Sequence, residues 1–528
     1  MTDDYDSAFE EILSRAYLES VRDTSVEEHA NILAGIKNLD ENTTIIEDAK
    51  KALLKEDAKK LYLECLKDIV SQMGSASQAE KFRWAYTINS LGLQGLGIKL
   101  DYLNISSPDI NNITLSSPDW NKIENHINDV VLGETFLKKM SVPQDDDIWG
   151  TEFPLRISAC DASQHRGKLK IPIATDFSSP FVVNNAAGIV KVKSDDKASW
   201  ENIIVPKNTQ DFENWVIVGY KDYTELTEQD FEWATKSAMD VGEFYVEENR
   251  IFQGRGVKNK PDIHFRDGRV FPQDHAMNCT IPNRHGELTR EAILRMTSTL
   301  KKAKELGITF CGVAKRPTLK LYSTIIDWYI TKKMGIQNWN LTKHTLSDTE
   351  LMRRFLYNSD FNAQDYKDIY VTVPIIRSFY TTSNLNRRTD RQVQNDLNRL
   401  KGVSHSRGIT AYDIVSEALN YNVVLFFAGH MRTNEIYVPR YEFVYYKENK
   451  EDIYQRIIKL LSGIRLSTLD VDSDHLWGLE EPINTLLPVP LKLADDLSRK
   501  TGEILVKDWE ARVLESFLKK RRENSNGV

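Results

Sequence analysis

Residues 227–252, TEQDFEWATKSAMDVGEFYVEENRIF, then residues 262–268, DIHFRDG, and residues 308–314, ITFCGVA, carry the alternation that decides the fold. The first stretch opens on Thr227-Glu-Gln-Asp230, which has the spacing of a capping box with Asp in place of the usual Glu. Phe231, Ala234, Ala238, Val241 and Tyr245 then recur at helical spacing, predicting a helix to about Phe252. Gly254 and Gly256 break it, and Ile263–Arg266 reads as a short strand ending at Asp267-Gly268. Ile293, Met296, Leu300 and Ala303 mark a second amphipathic helix that stops at Gly307, before the strand Ile308–Ala314. Helices alternating with single strands make crossover units, so the expected class is α/β with a mixed sheet.

Upstream, Leu155–Cys160, Lys168–Thr175, Gly188–Val192 and Trp215–Gly219 read as short strands. Residues 1–145 read as a helical extension, through Ala8–Tyr17, Thr43–Lys55 and Asp57–Met73, with a boundary at Ser141–Ile148. Downstream of residue 320 come a basic helical region at about 335–415, paired strands Asn422–Phe427 and Glu435–Tyr446, and a helix near Leu491–Ser498. Residues 150–510 are therefore expected to form the core, and 511–528 a basic tail.

The 528 residues are 41% hydrophobic and 10% aromatic, ample for packed cores and unlike a disordered chain. No apolar run approaches the roughly 20 residues of a membrane span, and Met1–Glu10 is too acidic for a signal peptide, so a soluble, cytoplasmic protein is expected. Cys65, Cys160, Cys279 and Cys311 form no C-x-x-C pair, and the ten histidines make no metal-binding cluster. Any metal would be held by carboxylates, which favours a hard ion such as Mg²⁺ or Mn²⁺. The formal charge of −8 is concentrated in residues 1–50, where 13 acidic residues meet 4 basic ones. By contrast, Asn384–Gly408 carries six basic and two acidic residues, suited to phosphate contact or simply to a solvated helix.

Two acidic positions share one placement. Asp161 closes the strand of Ile157-Ser-Ala-Cys-Asp-Ala-Ser163, and Asp267 closes that of Asp262–Gly268. Both suit ordinary strand-ending turns; they also suit a ligand site, because open α/β sheets bind ligands beyond the carboxyl ends of their strands. The four steps from Ile263 to Asp267 span roughly 13 Å, or about nine helix residues. Counting back from Phe252, that reaches Glu243, ahead of Glu247 and Glu248, although Glu243 lies opposite the apolar stripe. Lys315, at the end of the next strand, could pair with a phosphate oxygen as a point charge.

Asp161-Ala-Ser163, a helix glutamate, Asp267-Gly268-Arg269 and Cys311-Gly-Val-Ala-Lys315 together resemble the NurA nuclease family over about residues 150–320, and more weakly over 420–500. The resemblance implies a ribonuclease H-like core that cleaves DNA with Mn²⁺ or Mg²⁺. It implies a homodimer docked on a HerA-type hexameric ATPase, in DNA end processing or anti-phage defence. Asp161, Glu243 and Asp267 would be the metal ligands and Lys315 the phosphate contact. The family has Asp-Gly-Ser where Asp161-Ala162-Ser163 stands, and a histidine after its Pro-Leu pair where this chain has Asp495 as a further ligand. The alternative is a catalytically weak docking or regulatory subunit of the same ATPase.

Overall fold

The computed structural model describes residues 43–72, 118–141, 156–170, 178–194, 197–205, 216–218, 227–253, 260–272, 276–314, 320–337, 347–356, 368–379, 390–405, 408–430, 438–446, 453–469 and 488–525, with Trp339 and scattered positions between 75 and 96. The described strands are β1 (Leu137–Ser141), β2 (Ile157–Lys170), β3 (Ser178–Ser194), β4 (Lys197–Val205), β5 (Val216–Val218), β6 (Ile263–Asp267), β7 (Thr309–Ala314), β8 (Asp368–Thr372), β9 (Ile375–Ser378), β10 (Asn422–His430) and β11 (Arg440–Tyr445). The helices are α1 (Thr43–Leu53), α2 (Ala58–Gln72), α3 (Trp120–Val130), α4 (Glu228–Val246), α5 (Arg284–Leu306), α6 (Leu321–Trp328), α7 (Asp348–Leu356), α8 (Asp390–Leu400), α9 (Ala411–Ala418), α10 (Ile453–Leu469) and α11 (Val489–Ser525).

The protein is a mixed α/β fold. Its sheet runs β1-β8-β10-β11-β7-β6-β2-β3-β4, with β5 beside β3 and β9 beside β10. The strands β2, β3 and β4 form an antiparallel meander. The next two, β6 and β7, lie parallel to β2 and to each other, joined through the helices α4 and α5 as crossover connections require. The remaining neighbours are antiparallel.

Alternation along each strand assigns the two faces. Ile157 and Ala159 of β2, Ile263 and Phe265 of β6, and Cys311 and Val313 of β7 join one core with the N-terminal helices, α6, α10 and Leu491 of α11. Cys160 and Ala162 of β2 and Phe310 of β7 join the other core, with Phe244 and Val246 of α4 and Ile293, Met296 and Leu300 of α5. Close approach of α10 to the first face is possible because Gly463 has no side chain: a Cβ there would lie 2.5 Å from Ile263 Cδ1.

The structure departs from the sequence reading in several elements. Leu137–Ser141, within the stretch read as helical, pairs with β8 as the edge strand; with only five residues, two of them lysines, it lacks the apolar spacing of a helix. The region read as basic and helical contains β8 and β9, whose Ile-Tyr-Val and Ile-Ile runs are buried strand sequence. Residues 168–170 continue β2 instead of starting a new strand. The last helix runs on through Ser525, well past Ser498. The expected helix Ala8–Tyr17 and most of the expected boundary at Ser141–Ile148 lie outside the described residues.

Two predictions arise here. At Gly312 of β7 an added Cβ would sit 2.8 Å from both Gly268 O and Val270 N, which are backbone atoms that cannot swing aside. Gly312→Ala should therefore cost about 1–3 kcal/mol, the usual range for overpacking, read as a lowered midpoint in urea. Asp348 is fully buried and accepts hydrogen bonds from Leu321 N (2.8 Å) and Ser323 N (2.7 Å) at the start of α6. Burial outweighs those bonds and pushes its carboxyl up to about 6. A raised acid binds its proton more tightly when folded, so its contribution to stability is lost as pH rises from 3.8 through about 6. Asp348→Asn should gain stability relative to wild type across that window, measurable by unfolding at its two ends.

Candidate functional site

The site begins with a mismatch in strand length. The short strand β6 pairs with β2 only from Ile157 to Cys160 and stops at Asp267, whereas β2 continues beside β3 to Lys170. Asp161 therefore lies inside its strand rather than closing it, at the level where its neighbour ends. Cys160 is level with Arg266, so Asp161 and Asp267 come next on adjoining parallel strands, roughly 4.8 Å apart. By alternation both share the face of Ala159 and Phe265, the face that α10 and α11 cover. Gly268, with φ +86°, then turns the chain sharply away, a conformation that favours glycine.

From the same side, α11 presents Asp495, which is buried and paired with Arg499 Nε at 2.8 Å. Glu503 follows two turns along. These residues, with Asp161, Ser163, His165, Lys236, Asp240, Glu243, Asp267 and Arg269, line one cavity of about 600 Å³. Carboxylates outnumber cations on its walls. Ser163 Oγ and His165 Nε2 are 2.8 Å apart at its rim.

Glu243 reaches the cavity from α4, on the far face of the sheet. It is 5% exposed although it lies off the stripe that the sequence suggests. Two changes account for this. The helix is packed between the sheet and α5, so both of its sides are covered. Its apolar face also shifts after Ala238, since Phe244 and Val246 are buried while Val241 and Tyr245 are only partly so. A buried carboxylate needs compensation, and Glu243 has it: Oε1 accepts from Ala162 N at 3.0 Å and Oε2 pairs with Arg266 Nη2 at 2.7 Å. The other two candidates face elsewhere. Glu247 Oε1 is 3.1 Å from His264 Nε2, and Glu248 accepts from Ser298 Oγ at 2.6 Å.

The sequence reading missed Arg266, the centre of this network. It is 1% exposed, stacks 3.6 Å over the Phe244 ring, and pairs with Asp240 (2.6 Å) and Glu243, with Glu247 3.6 Å away. Burial alone would lower the guanidinium, but Glu243, Glu247 and Asp240 outweigh it and hold it firmly charged. Burial holds the Glu243 carboxyl well above the usual carboxylate range, with Arg266 pulling the other way; at 2.7 Å the two groups are in charge-assisted contact. Behind it, Ser158 Oγ lies 2.8 Å from His264 Nδ1, completing a Ser158–His264–Glu247 chain. All three are fully buried, so no substrate can reach them and the chain is structural. A legible signal did exist: His264 and Arg266 alternate on one face of an otherwise apolar strand, a pattern that demands buried partners.

The four predicted ligands Asp161, Glu243, Asp267 and Asp495 thus line one cavity, while Lys315 lies outside the described residues. Their oxygen donors suit a hard divalent ion. Among the described residues, however, no three His, Cys, Asp or Glu side chains are grouped as a metal-binding set. Arg266 and Ala162 N supply the physical reason for Glu243, which they hold. The four cysteines are free and buried. Among the described residues no helix is long and apolar enough to cross a membrane. No protein-family model matches the chain, and neither does any curated protein or solved structure.

Proposed function

We propose that this cavity cleaves DNA phosphodiesters with the help of Mn²⁺ or Mg²⁺. The observation that carries the reading is the level placement of Asp161 and Asp267 on adjoining parallel strands, with Asp495 facing them in the same cavity. The strand order β4-β3-β2-β6-β7, an antiparallel meander continued by two parallel strands, supports a ribonuclease H-like core. Asp161 and Asp267 would hold the ion, with Asp495 beside them and Glu243 joining if Arg266 releases it. When bound, such an ion lowers the pKa of a water and stabilises charge developing on the phosphate. Lys236, Arg269 and Arg499 line the same walls and would orient the phosphate backbone. In keeping with the NurA resemblance, the proposed setting is a homodimer on a HerA-type hexameric ATPase that feeds it DNA, in end processing or anti-phage defence.

Mn²⁺-dependent degradation of linear DNA, assayed alone and with such an ATPase, tests the reading; a chelator should abolish it. The pairing of Glu243 with Arg266 favours a second reading, a cleavage-poor docking subunit for the ATPase. On that reading the ATPase binds the chain, but no Mn²⁺-dependent degradation appears in either assay.

A further inference from the structure

Beyond the end of β6 lies a second charged cluster. The turn Gly268–Val270 crosses over β7 at Gly312, where only a glycine leaves room: a Cβ would be 3.0 Å from Arg269 C. The crossing is fixed by Gly268 N donating to Val313 O (3.0 Å) and Val270 N donating to Glu442 Oε2 (3.3 Å). It sets Arg269 between the carboxylate cavity, which it lines, and two more arginines. Arg440 and Glu442 are two apart on β11 and so share a face, paired at 2.8 Å. Arg377 of β9 is two residues beyond Ile375, which sits level with Glu442 across β10, and therefore joins the same face.

One carboxylate, Glu442, thus serves three guanidinium groups: it pairs with Arg440 and interacts electrostatically with Arg269 and Arg377. Asp240, the other acid within reach of Arg269, already pairs with Arg266. The Arg440 side chain is 6% exposed, and the buried Nε atoms of Arg440 and Arg377 have no hydrogen-bond acceptor among the described residues. Burial and the neighbouring arginines lower Arg377 to about 10, against the pull of Glu442. Arg440 is buried and Arg269 and Arg377 are half-buried; like charges gathered out of water at this cost are held ready for an anion.

We propose that Arg269, Arg377 and Arg440 form a pocket for the terminal phosphate of a DNA strand, anchoring the strand end beside the carboxylates. The inference rests on the DNA-cleaving reading of the cavity. Among the described residues three arginines thus meet one unshared carboxylate, an excess of two positive charges that matches a phosphomonoester, which carries roughly −1.5 to −2 at neutral pH. An internal phosphodiester carries a single charge and is flanked by sugars on both sides, so it matches the excess of two charges poorly. Arginine forks suit the bidentate geometry of phosphate oxygens.

The test is fluorescence anisotropy of the full chain in EDTA, where metal-dependent cleavage cannot occur. The probes are a short labelled single strand carrying a 5′-phosphate, a 3′-phosphate, or hydroxyls at both ends. A terminal phosphate at one of the two ends should tighten binding about tenfold, as one charge-assisted contact gives. Arg377→Gln should remove that advantage while the hydroxyl strand binds as it does to wild type; Arg269→Gln should remove it too, and should also weaken the hydroxyl strand because Arg269 lines the cavity. Equal affinity of wild type for all three strands would overturn the proposal, as would an advantage that survives in both variants. Failure of the nuclease reading shows differently: wild type would select a terminal phosphate yet leave DNA intact in Mn²⁺.

Discussion

Asp161→Asn and Asp267→Asn should each reduce Mn²⁺-dependent DNA degradation by about a thousandfold, equivalent to losing several kcal/mol of metal-borne charge stabilisation. Each variant should still fold. Asp161 sits at a position where β2 stays paired with Ala187 of β3 whatever the side chain. Asp267 ends its strand, and Gly268 makes the turn that follows. Asn keeps the shape of Asp and removes only the charge, so unchanged melting with lost cleavage isolates the metal role. Asp495→Asn should fall less, because Asp495 is shared with Arg499. The comparison is made on linear DNA at saturating Mn²⁺, and cleavage at the wild-type rate by both β-strand variants would remove these residues from the chemistry.

The largest effect on stability is expected at Arg266. Its replacement by Met keeps the bulk that stacks on Phe244 but strips the partner from Glu243, Asp240 and Glu247, of which Glu243 and Glu247 are buried. Breaking a buried pair by removing one member typically costs about 3–5 kcal/mol, since an uncompensated charge stays behind. Arg266→Met should therefore unfold at a clearly lower urea concentration than wild type. Adding Glu243→Gln should restore part of the loss, because the two residues form one network and their effects are not additive. If the double variant is no more stable than Arg266→Met alone, Glu243 is not what Arg266 compensates.

Much of the framework was legible because it rests on local rules. Thr227 accepts from Asp230 N at 3.1 Å as the capping signal implies, and Gly307 ends α5 at φ +69°. Alternation in β6 and β7 fixed which side chains face each core. What escaped the sequence depends on partners far apart in the chain. The length of β2 is set by its pairing with β3, so a turn-like Asp161-Ala-Ser163 reads as a strand end when it is a strand interior. The burial of Glu243 follows from Arg266, which lies 23 positions further on, and from α5, which covers the helix side that a wheel leaves bare. Arg377 and Arg440 come together only through the registers of β9, β10 and β11, which no spacing along the chain announces. The strands around residues 137 and 370 were hidden by neighbouring helical and basic sequence.

The most direct measurement is the anomalous scattering from crystals of the chain grown with Mn²⁺. A metal peak within coordinating distance of both the Asp161 and Asp267 carboxylates is predicted, and its absence from Asp161→Asn crystals. Well-ordered carboxylates with no peak between them, at Mn²⁺ concentrations well above those used in the cleavage assay, would contradict the account.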